Sequence, residues 1–318
     1  MLLEVKNLKI HFQVRGGWLG RVQGTVRAVN GVNLGLETGE TLGLVGESGC
    51  GKTTLGRGIL NLVPLTSGEV RFEGQDMITM PPEALRQLRP RMQMIFQDPV
   101  SSLNPRMTVE SIVTDALLDH RMIEPKDTQD KAKELLQQVG LGLDLLRRFP
   151  HELSGGQRQR VSIARALSLQ PRLIVCDEPV SALDVSIQAQ VLNLLKDLQQ
   201  KLGLTMLFIS HSLGVVRFIS RRVAVMYLGQ VVELGLGEVL FNQPRHPYTR
   251  ALLQSIPVSH PDLRRPHAPL TGDVPNPFTQ HPGCSFFDRC PVRLSRCAQE
   301  IPPLRPIAEG HQVACWVD

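Results

Sequence analysis

Eight consecutive residues, Gly46-Glu47-Ser48-Gly49-Cys50-Gly51-Lys52-Thr53, fit the pattern G-x-x-x-x-G-K-[ST] directly after the apolar run Thr41–Val45. Glycines at this spacing let the backbone curl so that successive N–H groups face one anion, and the helix that follows adds its positive end. Lys52 supplies a point charge for β- and γ-phosphates, and the Thr53 hydroxyl is placed to ligate Mg²⁺. Gly46, Ser48, Gly49, Cys50, Gly51, Lys52, Thr53 and Thr54 are thus candidate ligands of a nucleoside triphosphate, with Lys52 also a catalytic candidate. Cys50 reads as a permissive loop position rather than a nucleophile. A chance glycine-rich turn would look the same without the strand before it and the helix after it. The pattern says nothing of what the bound nucleotide drives.

A second candidate lies downstream, where Leu173-Ile174-Val175-Cys176 runs into Asp177-Glu178. An apolar strand seldom ends in two acids without compensation, because a desolvated charge is costly. A magnesium ion would compensate, with Asp177 holding it through water. Glu178 is then the general base for attack on a γ-phosphate. The plainer alternative is a pair of acids capping the next helix. His211 ends another apolar run, Phe208-Ile209-Ser210-His211. A lone histidine there is usually structural, yet the carboxyl ends of parallel strands converge on a ligand crevice, which would bring His211 to the γ-phosphate and to Glu178.

Positioning these residues requires strands alternating with helices, and the first ~235 residues read so, an α/β fold with a mainly parallel sheet. Leu2–Val14 and Val26–Leu36 alternate as strands around the glycines Gly16, Gly17 and Gly20. Thr41–Val45, Leu173–Cys176, Thr205–Ile209 and Val223–Tyr227 are continuous apolar runs suited to strands buried on both faces. Gly155–Leu169 and Val185–Lys201 have helical spacing, and the block from about 99 to 170 reads as a helical insertion. No apolar stretch approaches the roughly 20 residues of a membrane span. The opening segment carries Glu4, Lys6 and Lys9 and lacks the apolar core of a signal peptide. The chain is therefore expected to be soluble and to reach a membrane only through partners. A net charge of +5 is not gathered into a basic run, and 4% aromatics give no stacking surface for single-stranded nucleic acid. Nucleic acid is not an expected partner.

Leu153-Ser154-Gly155-Gly156-Gln157 stands between the phosphate loop and the paired acids. With it, residues 1–235 resemble the ATP-binding-cassette (ABC) family. The resemblance implies a P-loop ATPase with a helical subdomain at about 99–170. It implies a role for Gln97 in Phe96-Gln97-Asp98, toward Mg²⁺, catalysis and the helical region. It also assigns Ser181-Ala182-Leu183-Asp184 to the D-loop and Phe12 to the aromatic that stacks on adenine. Two such domains would pack head to tail, with ATP between the phosphate loop of one and Ser154, Gly155, Gly156 and Gln157 of the other, Asp184 lining the same nucleotide site. Hydrolysis would then part them and move membrane-spanning partners. Rival members in DNA repair carry long coiled coils, and those in translation carry two cassettes; neither feature occurs here.

Past residue 240 the texture changes. Residues 244–318 hold 13 of the 23 prolines and four of the six cysteines. Proline removes ladder donors, so this stretch is not expected to continue a sheet core, and it reads as a separate extension, 241–318. Arg245-His246-Pro247-Tyr248-Thr249-Arg250 resembles the start of the C-terminal extension of dipeptide and oligopeptide importer ATPases. Leu55-Gly56-Arg57 and Ser101-Ser102-Leu103-Asn104-Pro105-Arg106 are similar to the second ATPase type of those systems. That likeness implies peptide uptake from the cytoplasmic side of the cell membrane. The implied partners are a distinct homologous ATPase, two permease subunits and an extracytoplasmic binding protein. Nickel and glutathione importers share the extension. Cys284, Cys290, Cys297 and Cys315 are separated by five, six and seventeen residues. Disulfides do not suit a reducing cytosol, and zinc sites usually show C-x₂₋₄-C pairs, which are absent. The spacing resembles that of cluster-bearing peptide-importer ATPases and implies a [4Fe–4S] cluster, with zinc and free thiols as alternatives.

Overall fold

The computed structural model describes residues 1–16, 21–255 and 282–317, so the expected turn at Gly17 and Gly20 lies outside the described residues. They fall into two compact units, one of residues 1–37, 41–79 and 209–318, the other of 38–40 and 80–208.

The first unit begins with β1 (Leu3–Gly16) and β2 (Arg21–Leu36), then β3 (Thr41–Val45), α1 (Lys52–Ile59), β4 (Ser67–Phe72) and β5 (Gln75–Asp76). β1 pairs antiparallel with both β2 and β4, giving the order β2-β1-β4-β5. Leu3, Val5, Leu8 and Ile10 of β1 are buried, as are Val70 and Phe72 of β4. Each such side chain contributes about 1.5–3 kcal/mol by leaving water.

The second unit holds α2 (Pro82–Leu88), β6 (Met92–Ile95), α3 (Pro99–Ser102), α4 (Val109–Asp119), α5 (Thr128–Gln138), α6 (Gly155–Ser168), β7 (Leu173–Asp177), α7 (Val185–Leu202) and β8 (Thr205–Ser210), in which the chain passes back to the first unit. β6 and β7 run parallel, from Met92↔Leu173 to Ile95↔Cys176. Every residue of β7 is buried, as the continuous apolar run predicts. Between 99 and 170 the described residues form helices and turns, with no strand. α4, α5 and α6 pack through Val113, Leu136, Val161 and Ala164, all fully buried. Their starts are written locally: Thr108 Oγ1 caps α4 by accepting from Ser111 N (3.4 Å). Gly203, at φ 63°, ends α7 in the left-handed conformation that glycine adopts without penalty.

Returning to the first unit, the chain forms α8 (Leu213–Ile219), β9 (Arg222–Tyr227), β10 (Gln230–Leu236), α9 (Gly237–Asn242), α10 (Pro247–Gln254), β11 (Arg305–Ala308) and β12 (His311–Val313). β3 lies parallel to β9, and the order continues β9-β10-β12-β11. The proline-rich tail therefore does extend a sheet, contrary to the expectation from its composition. β12 contains no proline and pairs with β10 at Glu233↔Val313 and Leu234↔Gln312. Pro306 sits in β11, the edge strand, where a missing N–H costs no ladder bond. The boundary expected near 240 runs inside this unit.

Candidate functional site

The phosphate loop joins β3 to α1. Gly49 and Gly51 have φ of 78° and 103°, and Gly51 is the N-cap of α1. A Cβ on Gly51 would lie 1.9 Å from the Ala28 carbonyl oxygen, and one on Gly46 would lie 2.2 Å from that of Met226. Glycine at 46 and 51 is thus a packing demand of the neighbouring strands as well as a backbone one. Lys52 is buried, and its Nζ donates to the carbonyls of Gly46 (2.8 Å) and Glu47 (2.9 Å). An ammonium held over the loop is the charge a phosphate chain needs. Burial pushes the Cys50 thiol above its ordinary pKa, outweighing the nearby Lys52, so Cys50 stays a neutral thiol. Ser48 and Gly49 are exposed, and Thr53 and Thr54 are half-buried in the first turn of α1. Phe12 is 39% exposed on β1, opposite Val26. His211, exposed just after β8, also belongs to the first unit.

The loop is braced by a group of residues that sequence motifs do not mark as functional. The Glu47 carboxylate receives a two-pronged bond from Arg289, Nη1 to Oε2 at 2.8 Å and Nη2 to Oε1 at 3.0 Å. The Glu47 N–H donates to the Tyr248 hydroxyl at 2.9 Å. Arg289 lies over the Tyr227 ring, its guanidinium carbon 5.8 Å from the ring centre. Tyr227, Tyr248, His246 and Phe286 form one cluster with ring centres 4.6–5.7 Å apart. Beneath it Glu233, wholly buried, accepts from the N–H groups of Arg245 (2.8 Å) and His246 (2.9 Å) and lies 2.8 Å from His311 Nε2. Tyr248 stands in the quoted tail motif, but no local pattern links it or Arg289 to a loop 201 and 242 residues away.

The remaining candidates lie in the second unit. Asp177 is buried at the end of β7, with Glu178 half-buried beside it. Glu178 has φ 44°, a left-handed conformation unusual for a side chain of its size. Ser181 holds it there, both its N–H (3.2 Å) and its Oγ (3.0 Å) donating to the Glu178 carbonyl. Gln97 Nε2 donates to Glu178 Oε2 at 3.2 Å, so the amide and the carboxylate do meet. Cys176, behind them, is fully buried and pushed up to about 12, inert at neutral pH. Ser154 N-caps α6 in a reciprocal box: its Oγ accepts from Gln157 N (3.3 Å) and Gln157 Oε1 accepts from Ser154 N (2.9 Å). Gly155 is exposed at the helix start. A Cβ on Gly156 would press to 2.8 Å from Ile187 Cγ2. Ser154, Gly156 and Gln157 line a cavity of about 310 Å³. Asp184 is the exposed N-cap of α7, without a side-chain cap bond.

The donors assigned to magnesium are the Thr53 hydroxyl, the Gln97 amide oxygen and the Asp177 carboxylate. They are hard oxygens, so these residue types fit that ion. The tail cysteines fit less well. Cys284, Cys290, Cys297 and Cys315 share one neighbourhood, close enough for the other three to raise the Cys284 pKa further. Yet among the described residues no group of three or more His, Cys, Asp or Glu side chains is arranged to hold a metal ion, which does not support the expected cluster. Burial holds the Cys284 thiol at about 11 and raises that of Cys290. Cys315 Sγ accepts from Val317 N (3.4 Å). Trp316 stacks under the Arg296 guanidinium at 3.6 Å.

The family model for ABC transporters matches residues 29–181, and that for the oligopeptide/dipeptide transporter C-terminal region matches 232–297. The oligopeptide transport ATP-binding protein OppF of Salmonella typhimurium is 49% identical over 99% of this chain and 96% of its own length. AppF of Bacillus subtilis, of the same description, is 50% identical over the same shares. Among solved structures, the dimeric post-hydrolysis state of the ATP-binding cassette MJ0796, bound to ADP and Pi, has a TM-score of 0.66 at 28% identity. It covers 74% of this chain and 98% of its own. Identity of 49–50% over nearly the whole length of these relatives shows that this chain belongs to the ABC transporter family, as an ATP-hydrolysing subunit.

Proposed function

We propose that this subunit powers the uptake of short peptides. The reading is carried by the match of residues 232–297 to the oligopeptide/dipeptide transporter C-terminal region, on a chain whose relatives named for oligopeptide transport match nearly end to end. No helix among the described residues is long and apolar enough to cross a membrane, so the work passes through partners. Those are two permease subunits, an extracytoplasmic binding protein and a second ATPase, with this chain on the cytoplasmic side of the membrane.

In this reading the loop amides and Lys52 hold the β- and γ-phosphates of ATP, with Phe12 against the adenine. Thr53, Gln97 and Asp177 would hold Mg²⁺, which would neutralise phosphate charge. Glu178 accepts a proton from the attacking water, its backbone fixed by Ser181 and its carboxylate steadied by Gln97. His211 meets the γ-phosphate. Ser154, Gly155, Gly156 and Gln157, with Asp184, face the nucleotide of the second ATPase, where a helix start favours an anion. Residues 241–318 are an extension, and 232–297 match the oligopeptide/dipeptide transporter C-terminal region. The reading of its four cysteines as a [4Fe–4S] or zinc site rests on their number and common neighbourhood, and no step of the ATP cycle passes through it.

Uptake by vesicles carrying the assembled transporter is the test. Labelled di- to pentapeptides are expected to accumulate with ATP and not with a Lys52→Ala subunit. Uptake of nickel or glutathione instead, with peptides inert, would overturn the substrate reading. Iron, sulfide and zinc analysis of anaerobically purified chain, with Cys290→Ser as control, decides the cysteine site.

A further inference from the structure

We propose that Arg289, in the C-terminal extension, is a positioning residue for the phosphate loop, setting ATP affinity through its two-pronged bond to Glu47. Glu47 is the second residue of the loop, between Gly46 and Ser48. Both of its handles, carboxylate and N–H, are taken by residues of the extension, Arg289 and Tyr248. Its carbonyl accepts from Lys52 Nζ, so the residue the extension grips also holds the lysine.

The grip is built rather than incidental. The Arg289 side chain is 6% exposed and that of Glu47 23%, so solvent screens the pair far less than at the surface. The fork geometry fixes orientation as well as distance. Arg289 is itself held, its N–H donating to Phe286 O (3.2 Å) and Nη1 reaching the Tyr227 hydroxyl (3.5 Å). Cys284 accepts from Phe287 N (3.0 Å) and donates its own N–H to Cys297 O (2.8 Å), tying the Arg289 turn to the tail's core. A phosphate loop needs its amides aimed before ligand arrives, because ordering it on binding costs affinity. The extension supplies that order from outside the motif.

The inference rests on ATP binding at this loop, which Lys52→Ala tests separately by abolishing it. Full-length Arg289→Ala, Glu47→Gln and the double variant are compared with wild type by titration with a fluorescent ATP analogue and Mg²⁺, and by steady-state ATPase. Each single change is expected to raise Kd and the KM for ATP about tenfold, the order of a severed charge-assisted pair, with kcat at saturating ATP changed less than about twofold. The double variant is expected to lose no more than either single one, because both cut one interaction. Arg289→Lys restores part of the affinity, one point charge replacing a fork. A role confined to tail packing would lower thermal stability and leave Kd unmoved. Wild-type Kd in folded Arg289→Ala and Glu47→Gln, or losses that multiply in the double, overturns the proposal. Should Arg289→Ala not fold, Glu47→Gln, a shape-preserving change at the looser partner, decides alone.

Discussion

The phosphate loop and the C-terminal extension are both tied into the first unit, by opposite means. The loop acts through its own backbone: two positive φ angles and two glycines whose Cβ would meet a neighbouring carbonyl. The extension acts through side chains that reach distant segments, Arg289 and Tyr248 to Glu47, and His311 to Glu233. A local device is written in consecutive letters. A distant one is written in letters that only folding brings together.

The sharpest way to probe that contrast is inside the loop. Gly51→Ala should be worse than Gly49→Ala although both glycines have positive φ. Alanine at 49 meets nothing within 4 Å and costs about 1 kcal/mol of conformational strain. Alanine at 51 adds an overlap with the Ala28 carbonyl and should cost about 3 kcal/mol or more, with ATP binding lost. Equal melting temperatures for the two variants would mean that φ alone governs the loop. Next in size is Glu178→Gln, expected to keep ATP binding and to cut turnover on the order of a hundredfold, about 2.7 kcal/mol of barrier. Unchanged turnover would remove Glu178 from the chemistry.

Much of the site was legible for the reason these two predictions share. Gly46–Thr53 and Leu173–Glu178 each fold within one strand–turn–helix step, and Leu153–Gln157 within a single helix start, so spacing alone states their local geometry. The strands β3, β7, β8 and β9 were legible as continuous apolar runs and β1 and β2 by their alternation, whereas β4, β5, β6 and β10 carried no such mark. What spacing missed was long-range. The composition of the tail argued against a sheet, yet His311–Val313 pairs with β10 because Glu233 there gathers the 245–246 backbone and His311. Four cysteines suggested a metal, but their thiols pack and hydrogen-bond without forming such a group among the described residues. The bond of Gln97 to Glu178 joins residues 81 apart, which no local pattern encodes.

On the extension's side of the comparison, Glu233→Gln should cost about 2 kcal/mol, because a buried amide cannot serve donors that two carboxylate oxygens now serve. The loss should be regional. Hydrogen exchange is expected to quicken over 245–255 and 305–315, while α4 to α6 keep their protection. Uniform loosening of both units would contradict the anchoring role given to Glu233.

The smallest effect concerns acid. Burial, with some help from Arg250, lowers the His246 pKa to about 3, and its Nδ1 accepts from Tyr248 N (3.1 Å). The ring packs against Phe286, while the Glu233 carboxylate holds its backbone N–H. The unfolded chain takes up this proton as pH falls through about 6.5, whereas the folded chain resists until about 3. The stability that neutral His246 contributes is therefore complete above about 6.5 and declines as pH falls toward 3. His246→Asn keeps an acceptor for Tyr248 N and has no proton to gain. Its melting temperature should be lower than wild type at pH 7 and should fall less between pH 7 and pH 5, by about 2–4 °C for a chain of this size. Parallel acid profiles would mean that the ring is protonated without harm. The extension would then be held by its distant hydrogen bonds alone, not by the dry packing around them.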